Sequence, residues 1–505
     1  MKRALFIFLA LFSSYFASGA NPYLTGQDAF EFTYSFTLPK LTAGQAARVW
    51  IPMASSDGYQ RVEVAKEPSP LKGQLIRDPQ FKNLAWLYEI LPSHSNDKLT
   101  FKYQVLRNEK LAYFNFEKSL DHFLEAEPLV PLDERFKKLA EQTTQSKKTD
   151  FEKGRAIYDY VLSVMKYDKT GKGWGRGDAI YACDAKKGNC TDFHALFIAI
   201  ARAAKIPARF MVGFTIPWDK QDGVIEGYHC WAEFLADGKW IPIDISEASK
   251  NPAAKDYYFG HHPANRFEFT RGRNLSYDPM PKEGPINFLV YPYLEIDGKI
   301  TKADAEYSFR RLTPSETTIL KGRFALPSPQ GGIVYGDPGH ALDWPDELIV
   351  KHLEELKESG VSVIFLEHFR TTEQTLLDQF FNNPTDANLK KIIQTVRARN
   401  KGFDQIKPGE QVLLKTLAAK RLRPIGIELP KRKQTFKIRE KHWFKTIQEY
   451  LNQHPDTTWV AYVGNSHLQG DGKSSDDLGL DEKLNVPSIK LDNLTETPQE
   501  WRERP

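Results

Sequence analysis

The chain has 505 residues, too many for one ordinary domain, and that length suggests about three. An apolar content of 41% with 12% aromatic residues is enough for several hydrophobic cores and excludes a largely disordered chain. Sixty-nine basic against 65 acidic residues leave a net charge of +4, which gives no electrostatic ground for binding nucleic acid or a membrane surface.

Met1-Lys2-Arg3 precedes an apolar run over 4–12 and the small residues Ala17, Ser18, Gly19 and Ala20. This is the pattern of a secretory signal peptide over 1–20, cleaved near Gly19 or Ala20. The run is short for a membrane span, and no later stretch reaches 18 apolar residues. No cysteine follows the cleavage region to carry a lipid. The expectation is a periplasmic or secreted protein whose mature chain has no transmembrane segment.

Residues 21–125 hold five short alternating runs, at 29–36, 47–51, 60–65, 84–90 and 99–106, separated by Pro, Gly, Ser and Asp clusters. Such spacing predicts an antiparallel β-sandwich, and the stretch carries no catalytic constellation. Near Leu129-Val130-Pro131 the period changes. Helices are expected over 132–142 and 150–165, followed by a glycine-dense passage at 171–178 that reads as a cleft wall and lacks the lysine pattern of a phosphate loop.

Gly188-Asn189 then leads into Cys190, and Phe193, Leu196, Phe197 and Ile200 recur at helical spacing. Cys190 is therefore expected at the N-terminus of a buried helix, where the unpaired N–H groups and the helix dipole favour a thiolate. Downstream, His229 and Asp244 lie on two strand-like runs joined by an Asp237-Gly238-Lys239 turn, a hairpin signature. Cysteine, histidine and aspartate in this order admit a triad: Cys190 attacks a carbonyl, His229 manages the proton and Asp244 fixes the imidazole. Helix N–H groups would face the oxyanion, with Trp174 or Tyr181 as a further donor or wall. Taken singly, each residue also has an ordinary structural explanation. The chain's three cysteines are Cys183, Cys190 and Cys230. The odd count leaves a free thiol, while Cys183 and Cys230 are either disulfide-bonded or both reduced.

From 247 to about 323 the sequence is irregular, apart from a strand-like run over 287–298 expected to return to the first module. Beyond 324, short apolar runs at 333–335, 361–366, 424–429 and 459–463 alternate with helical stretches, which implies an α/β unit with a mostly parallel sheet. Polar groups follow the runs: Asp337 and His340, Glu367 and His368, Glu428, and His467. Parallel sheets bind ligands at the carboxyl edge of their strands, so His340, Glu367 and His467 are candidates for a divalent metal site or for acid–base work. The fold expected is thus multi-domain: signal peptide 1–20, β-sandwich 21–125, α+β cysteine unit 126–323 and α/β unit 324–505.

Gly188-Asn189-Cys190-Thr191-Asp192, Tyr228-His229-Cys230-Trp231-Ala232-Glu233 and Trp240-Ile241-Pro242-Ile243-Asp244 resemble the three motifs of the bacterial transglutaminase-like family. The resemblance spans about 150–260 and implies a papain-like core with Cys190 as nucleophile, His229 as base and Asp244 as orienting acid. It implies hydrolysis or acyl transfer at amide bonds of a protein or peptide substrate, in the cell envelope for an exported enzyme, with no cofactor at the cysteine. Val49-Trp50-Ile51-Pro52 and Gly58-Tyr59-Gln60 resemble the N-terminal module often attached to such domains. Residues 330–495 resemble the superfamily that joins ChaN-like haem-uptake proteins, erythromycin esterase and TraB/Tiki proteins, with His340, Glu367 and His467 at the matching positions. Gly336-Asp337-Pro338-Gly339-His340 departs from that family's Gly-Glu-x-His form. The likeness implies a metal, haem or hydrolytic site, and with it an alternative function as a haem- or metal-binding uptake protein. A bifunctional envelope enzyme using both sites is the third possibility.

Overall fold

The computed structural model describes residues 26–65, 71–117, 119–399, 406–431, 435–468 and 477–499, so the expected signal peptide lies outside the described residues. Within them are several antiparallel sheets, a five-stranded parallel sheet and a two-stranded parallel pair, Lys166–Tyr167 with Lys187–Gly188.

The N-terminal third contributes three strands to each of two five-stranded antiparallel sheets. Phe30, Phe32, Tyr34 and Phe36 recur every second residue of strand Gln27–Thr37, so all four point to one face, and all are fully buried. This strand pairs with Lys98–Asn108 on one side and Asp304–Arg311 on the other, placing Phe32 opposite both Tyr103 and Phe309. In the second sheet Ala47–Met53 pairs with Leu84–Ile90 and with Tyr293–Ile296. Val49, Ile51, Tyr88 and Ile90 join the core that holds the four aromatic residues. Strands from 293–311 therefore complete both N-terminal sheets, although in sequence they follow the cysteine, histidine and aspartate.

A third antiparallel sheet runs in the order Arg266–Arg271, Ala208–Thr215, His229–Ala236, Lys239–Ile243, Tyr113–Phe114. Helix Cys190–Ala203 packs on it, with every residue from Cys190 to Arg202 buried. Helices Glu134–Thr144, Asp150–Val164 and Ala179–Ala185 pack around that helix. The first two N-termini are capped by Asp133 and Thr149, polar side chains that accept the free N–H groups of the first turn. The aromatic face of the first sheet continues into this unit, since Phe32 packs on Phe214, Phe267 and Phe269.

The C-terminal sheet is parallel, in the order Arg423–Glu428, Val361–Arg370, Thr458–Gly464, Gly332–Asp337, Ser488–Lys490. Alternate residues divide between two cores. Ile333, Tyr335, Ile364, Leu366, Val460 and Tyr462 face one, while Val334, Val363, Phe365, Ala461 and Val463 face the other. Burial on both faces is why these strands read as unbroken apolar runs. The helical stretch between strands Gly332–Asp337 and Val361–Arg370 is divided into two helices, Trp344–Lys351 and Leu353–Glu358. They break at His352, whose ring stacks on Phe324 at 4.0 Å and whose nitrogens meet Glu355 and Glu496.

Candidate active site

Asn189 caps the buried helix in an extended conformation, and its Oδ1 accepts the Thr191 N–H at 3.0 Å. Asp192 reaches back to the Asn189 N–H at 2.9 Å and also accepts the N–H groups of Gly175 at 2.7 Å and Gly177 at 3.1 Å. One buried carboxylate thus fastens the glycine-rich passage to the first turn. Gly188 is required here, because it has φ +157° and a Cβ would lie 2.3 Å from Asp192 Oδ2. The capping arrangement leaves Cys190 at the first helical position, where its N–H has no acceptor within the helix.

His229 begins its strand opposite Gly213. Asp244 follows the next strand and caps helix Ile245–Lys250. Its Oδ1 accepts the Glu247 N–H and the Ser246 hydroxyl, each at 3.0 Å. Its Oδ2 takes His229 Nε2 at 2.7 Å and Arg266 Nη2 at 3.0 Å. With Nε2 spent on Asp244, only Nδ1 of His229 is left to act on Cys190. Asp244 is fully buried, while Cys190 and His229 retain 2% and 6% of their exposure.

Burial alone would raise the Cys190 thiol, but hydrogen bonds from Cys230 and His229 and the imidazolium charge outweigh it and hold the thiol well below its ordinary value. Burial would lower His229, yet the Asp244 carboxylate and the Cys190 sulfur raise it to about 9. Asp244 is held well below the usual carboxylate range, because His229 and Arg266 outweigh its desolvation. These shifts all favour a thiolate–imidazolium pair backed by a carboxylate.

Residues 137–245 match the model of the transglutaminase-like superfamily. This stretch is a transglutaminase-like domain. The chain is also 26% identical over 325 residues to an uncharacterized protein of Haemophilus influenzae, covering 55% of this chain and 88% of that one. Among solved structures it is similar to a protein described as a candidate cysteine protease from Cytophaga hutchinsonii, at 15% identity and a TM-score of 0.41, covering 57% of this chain and 92% of that one. It is also similar to the periplasmic domain of TgpA from Pseudomonas aeruginosa, at 14% identity and a TM-score of 0.26, covering 45% and 92%.

The transglutaminase-like domain brings Cys190, His229 and Asp244 together, along with residues that the sequence did not single out. Arg266 opens strand Arg266–Arg271, whose mixture of Arg, Phe, Glu and Thr gave no signal of its role. Cys230 lies against Cys190, and burial together with the adjacent sulfur raises its thiol, so it remains an S–H donor. All three cysteines are free, which leaves Cys183 and Cys230 unbridged. Tyr181 turns its ring under Gly173, while its hydroxyl is buried and has no hydrogen-bond partner. Trp174 lies half-buried in the same passage.

In the C-terminal unit, His340, Glu367 and His467 also converge at the carboxyl edge of the parallel sheet. Glu367 lies 3.5 Å from His340 Nε2 and 3.8 Å from His467 Nε2, and it accepts the Gly464 N–H at 2.7 Å. A guanidinium that the sequence did not flag stands at the centre. Arg439 donates to Glu367 at 2.6 Å and to Glu428, and its Nη1 lies 3.4 Å from His467 Nε2. His467 Nδ1 is held by Glu440 at 3.0 Å. His340 donates to Asp337 at 2.8 Å, and its hydrogen bonds to Asp337 and Glu367 raise it to about 10. Arg439 and His340 thus supply cationic charge among the carboxylates where a metal or haem was expected at His340, Glu367 and His467. Among the described residues no group of three His, Cys, Asp or Glu is disposed to hold a metal ion. No helix of the described residues is long and apolar enough to cross a membrane.

Proposed function

We propose that the protein is an exported cysteine enzyme that acts on amide bonds of a protein or peptide through an acyl-enzyme, with hydrolysis favoured over acyl transfer. The observation that supports this reading most is the 2.7 Å hydrogen bond from the His229 ring to the Asp244 carboxylate, with His229 electrostatically coupled to Cys190 at the head of a buried helix.

In this reading the Cys190 thiolate attacks the carbonyl carbon, and the negative charge that develops on oxygen is met by the N–H of Cys190. The C–N bond breaks as His229 gives its proton to the leaving amine, which leaves a thioester. Water then attacks the thioester while neutral His229 takes its proton. The carboxylate is released and the thiolate–imidazolium pair restored. An amine in place of water would complete acyl transfer. Asp244 holds the ring and stabilises its charge throughout.

Incubating the purified protein with a glutamine-containing peptide library, with and without an added amine, and measuring mass shifts separates cleavage, deamidation and crosslinking. Cys190→Ala is expected to abolish both these products and fast labelling by a thiol-directed amide-mimic probe while leaving the circular dichroism spectrum unchanged. Products that persist in the folded variant would sink the reading.

A further inference from the structure

His194 lies one turn after Cys190, fully buried on a helix whose neighbouring positions, Phe193, Ala195, Leu196 and Phe197, are apolar. An imidazole in such a place is costly unless both ring nitrogens are used. Both are used, and by two different elements. Nε2 lies 3.1 Å from the backbone N–H of Ile245, which donates to it, so Nε2 carries no proton. Nδ1 therefore bears the hydrogen and donates it to the Cys190 carbonyl at 2.8 Å.

Ile245 immediately follows Asp244, and His194 Nε2 lies 3.9 Å from Asp244 Oδ1. The nucleophile and the carboxylate are thus joined twice, through the His229 side chain and through this second imidazole acting on backbone. We infer that His194 is a positioning residue: a neutral ring that ties the Cys190 peptide group to the peptide group after Asp244 and keeps sulfur, His229 and carboxylate in one register. This rests on Cys190 acting as proposed above. Misplacement of a reacting group by about 1 Å costs on the order of a hundredfold in rate, so a brace at this junction acts on turnover.

The role requires a neutral ring, because a proton on Nε2 would oppose the Ile245 N–H. Burial lowers His194, against the raising effect of Asp244 and of the Cys190 thiolate. The charged and titratable groups around it are Cys190 on its own helix, Cys230 and His229 on the strand beneath, and Asp244 at the neighbouring turn.

The test uses three variants of the full chain and iodoacetamide as the probe. His194→Asn keeps an amide near the Nδ1 position, His194→Gln keeps one near Nε2, and His194→Leu keeps neither. In His194→Leu the pH midpoint for Cys190 alkylation should rise by about one unit. His194→Asn and His194→Gln should each fall between Leu and wild type while keeping the wild-type near-UV circular dichroism spectrum. A merely structural histidine would leave the midpoint in place. If His194→Leu does not fold, the Asn and Gln variants decide. Folded Asn and Gln variants that label with the wild-type pH profile overturn the inference. Failure of the underlying reading is distinguishable, since Cys190→Ala would then still label at the fast wild-type rate.

Discussion

Cys190 and His229 titrate as a pair, and the competent form has sulfur deprotonated and ring protonated. His229 is raised, so its charge is held through neutral pH and lost as pH rises through about 9, which sets the alkaline limb of turnover. Cys190 is lowered, so the acid limb falls well below the ordinary thiol value, where the thiolate takes up a proton. A pH profile of kcat/KM on a cleaved peptide checks both limbs. Asp244→Asn keeps the shape but loses the charge behind the ring, and kcat/KM is expected to fall about a thousandfold while the alkaline limb moves to lower pH. Cys230→Ala removes the S–H donor to Cys190 and should raise the alkylation midpoint, whereas Cys230→Ser, which retains an O–H donor, should largely restore it. Equal midpoints for the Ala variant and wild type would remove Cys230 from the site.

The decisive element is the first turn of helix Cys190–Ala203, where Gly188, Asn189 and Asp192 fix the direction of the cysteine. Gly188→Ala forces a Cβ into Asp192 at a backbone conformation that L residues rarely adopt, so it should cost about 1–3 kcal/mol and slow Cys190 alkylation at least about tenfold. Differential scanning calorimetry and a labelling time course measure the two effects. This turn was legible in the sequence. Gly-Asn before a cysteine and an apolar 3.6 period after it state both a cap and a buried helix. The strand that carries Arg266 was not legible in the same way. Nothing along Arg266–Arg271 says that its first side chain reaches a carboxylate 22 residues earlier in the chain.

Across the whole molecule, Lys110 binds the N-terminal sheets to the transglutaminase-like domain. Its ammonium is buried within 3.2 Å of Glu233, 3.3 Å of Glu268 and 3.8 Å of Asp57. Lys110→Met leaves those carboxylates buried without their shared cation, which should cost about 3–5 kcal/mol, read as a lower urea midpoint. Burial would raise Glu233, but Lys110 and Arg209 hold it below the usual carboxylate range. Its stabilising contribution is therefore full above the ordinary unfolded-state value and is lost as pH falls towards the folded one. Wild-type stability should accordingly decline on the acid side. At the C-terminal unit Arg77 donates to the Pro455 carbonyl at 2.8 Å and Phe116 packs on Phe444 at 5.4 Å, so that unit rests on the others through side chains from before residue 120.

The sequence alone determined what depends on local order. It marked the alternating aromatic strands, the capped helix behind Cys190, the hairpin that carries His229 towards Asp244, and the unbroken apolar runs of a parallel sheet buried on both faces. Only the tertiary structure decided what depends on contacts between distant segments. Strands 293–311 close the N-terminal sheets, His194 and Arg266 brace the site, and Arg439 takes the centre of the C-terminal cluster. Periodicity and capping are properties of neighbours along the chain, whereas the neutralisation of a buried charge depends on which remote side chain the fold brings beside it.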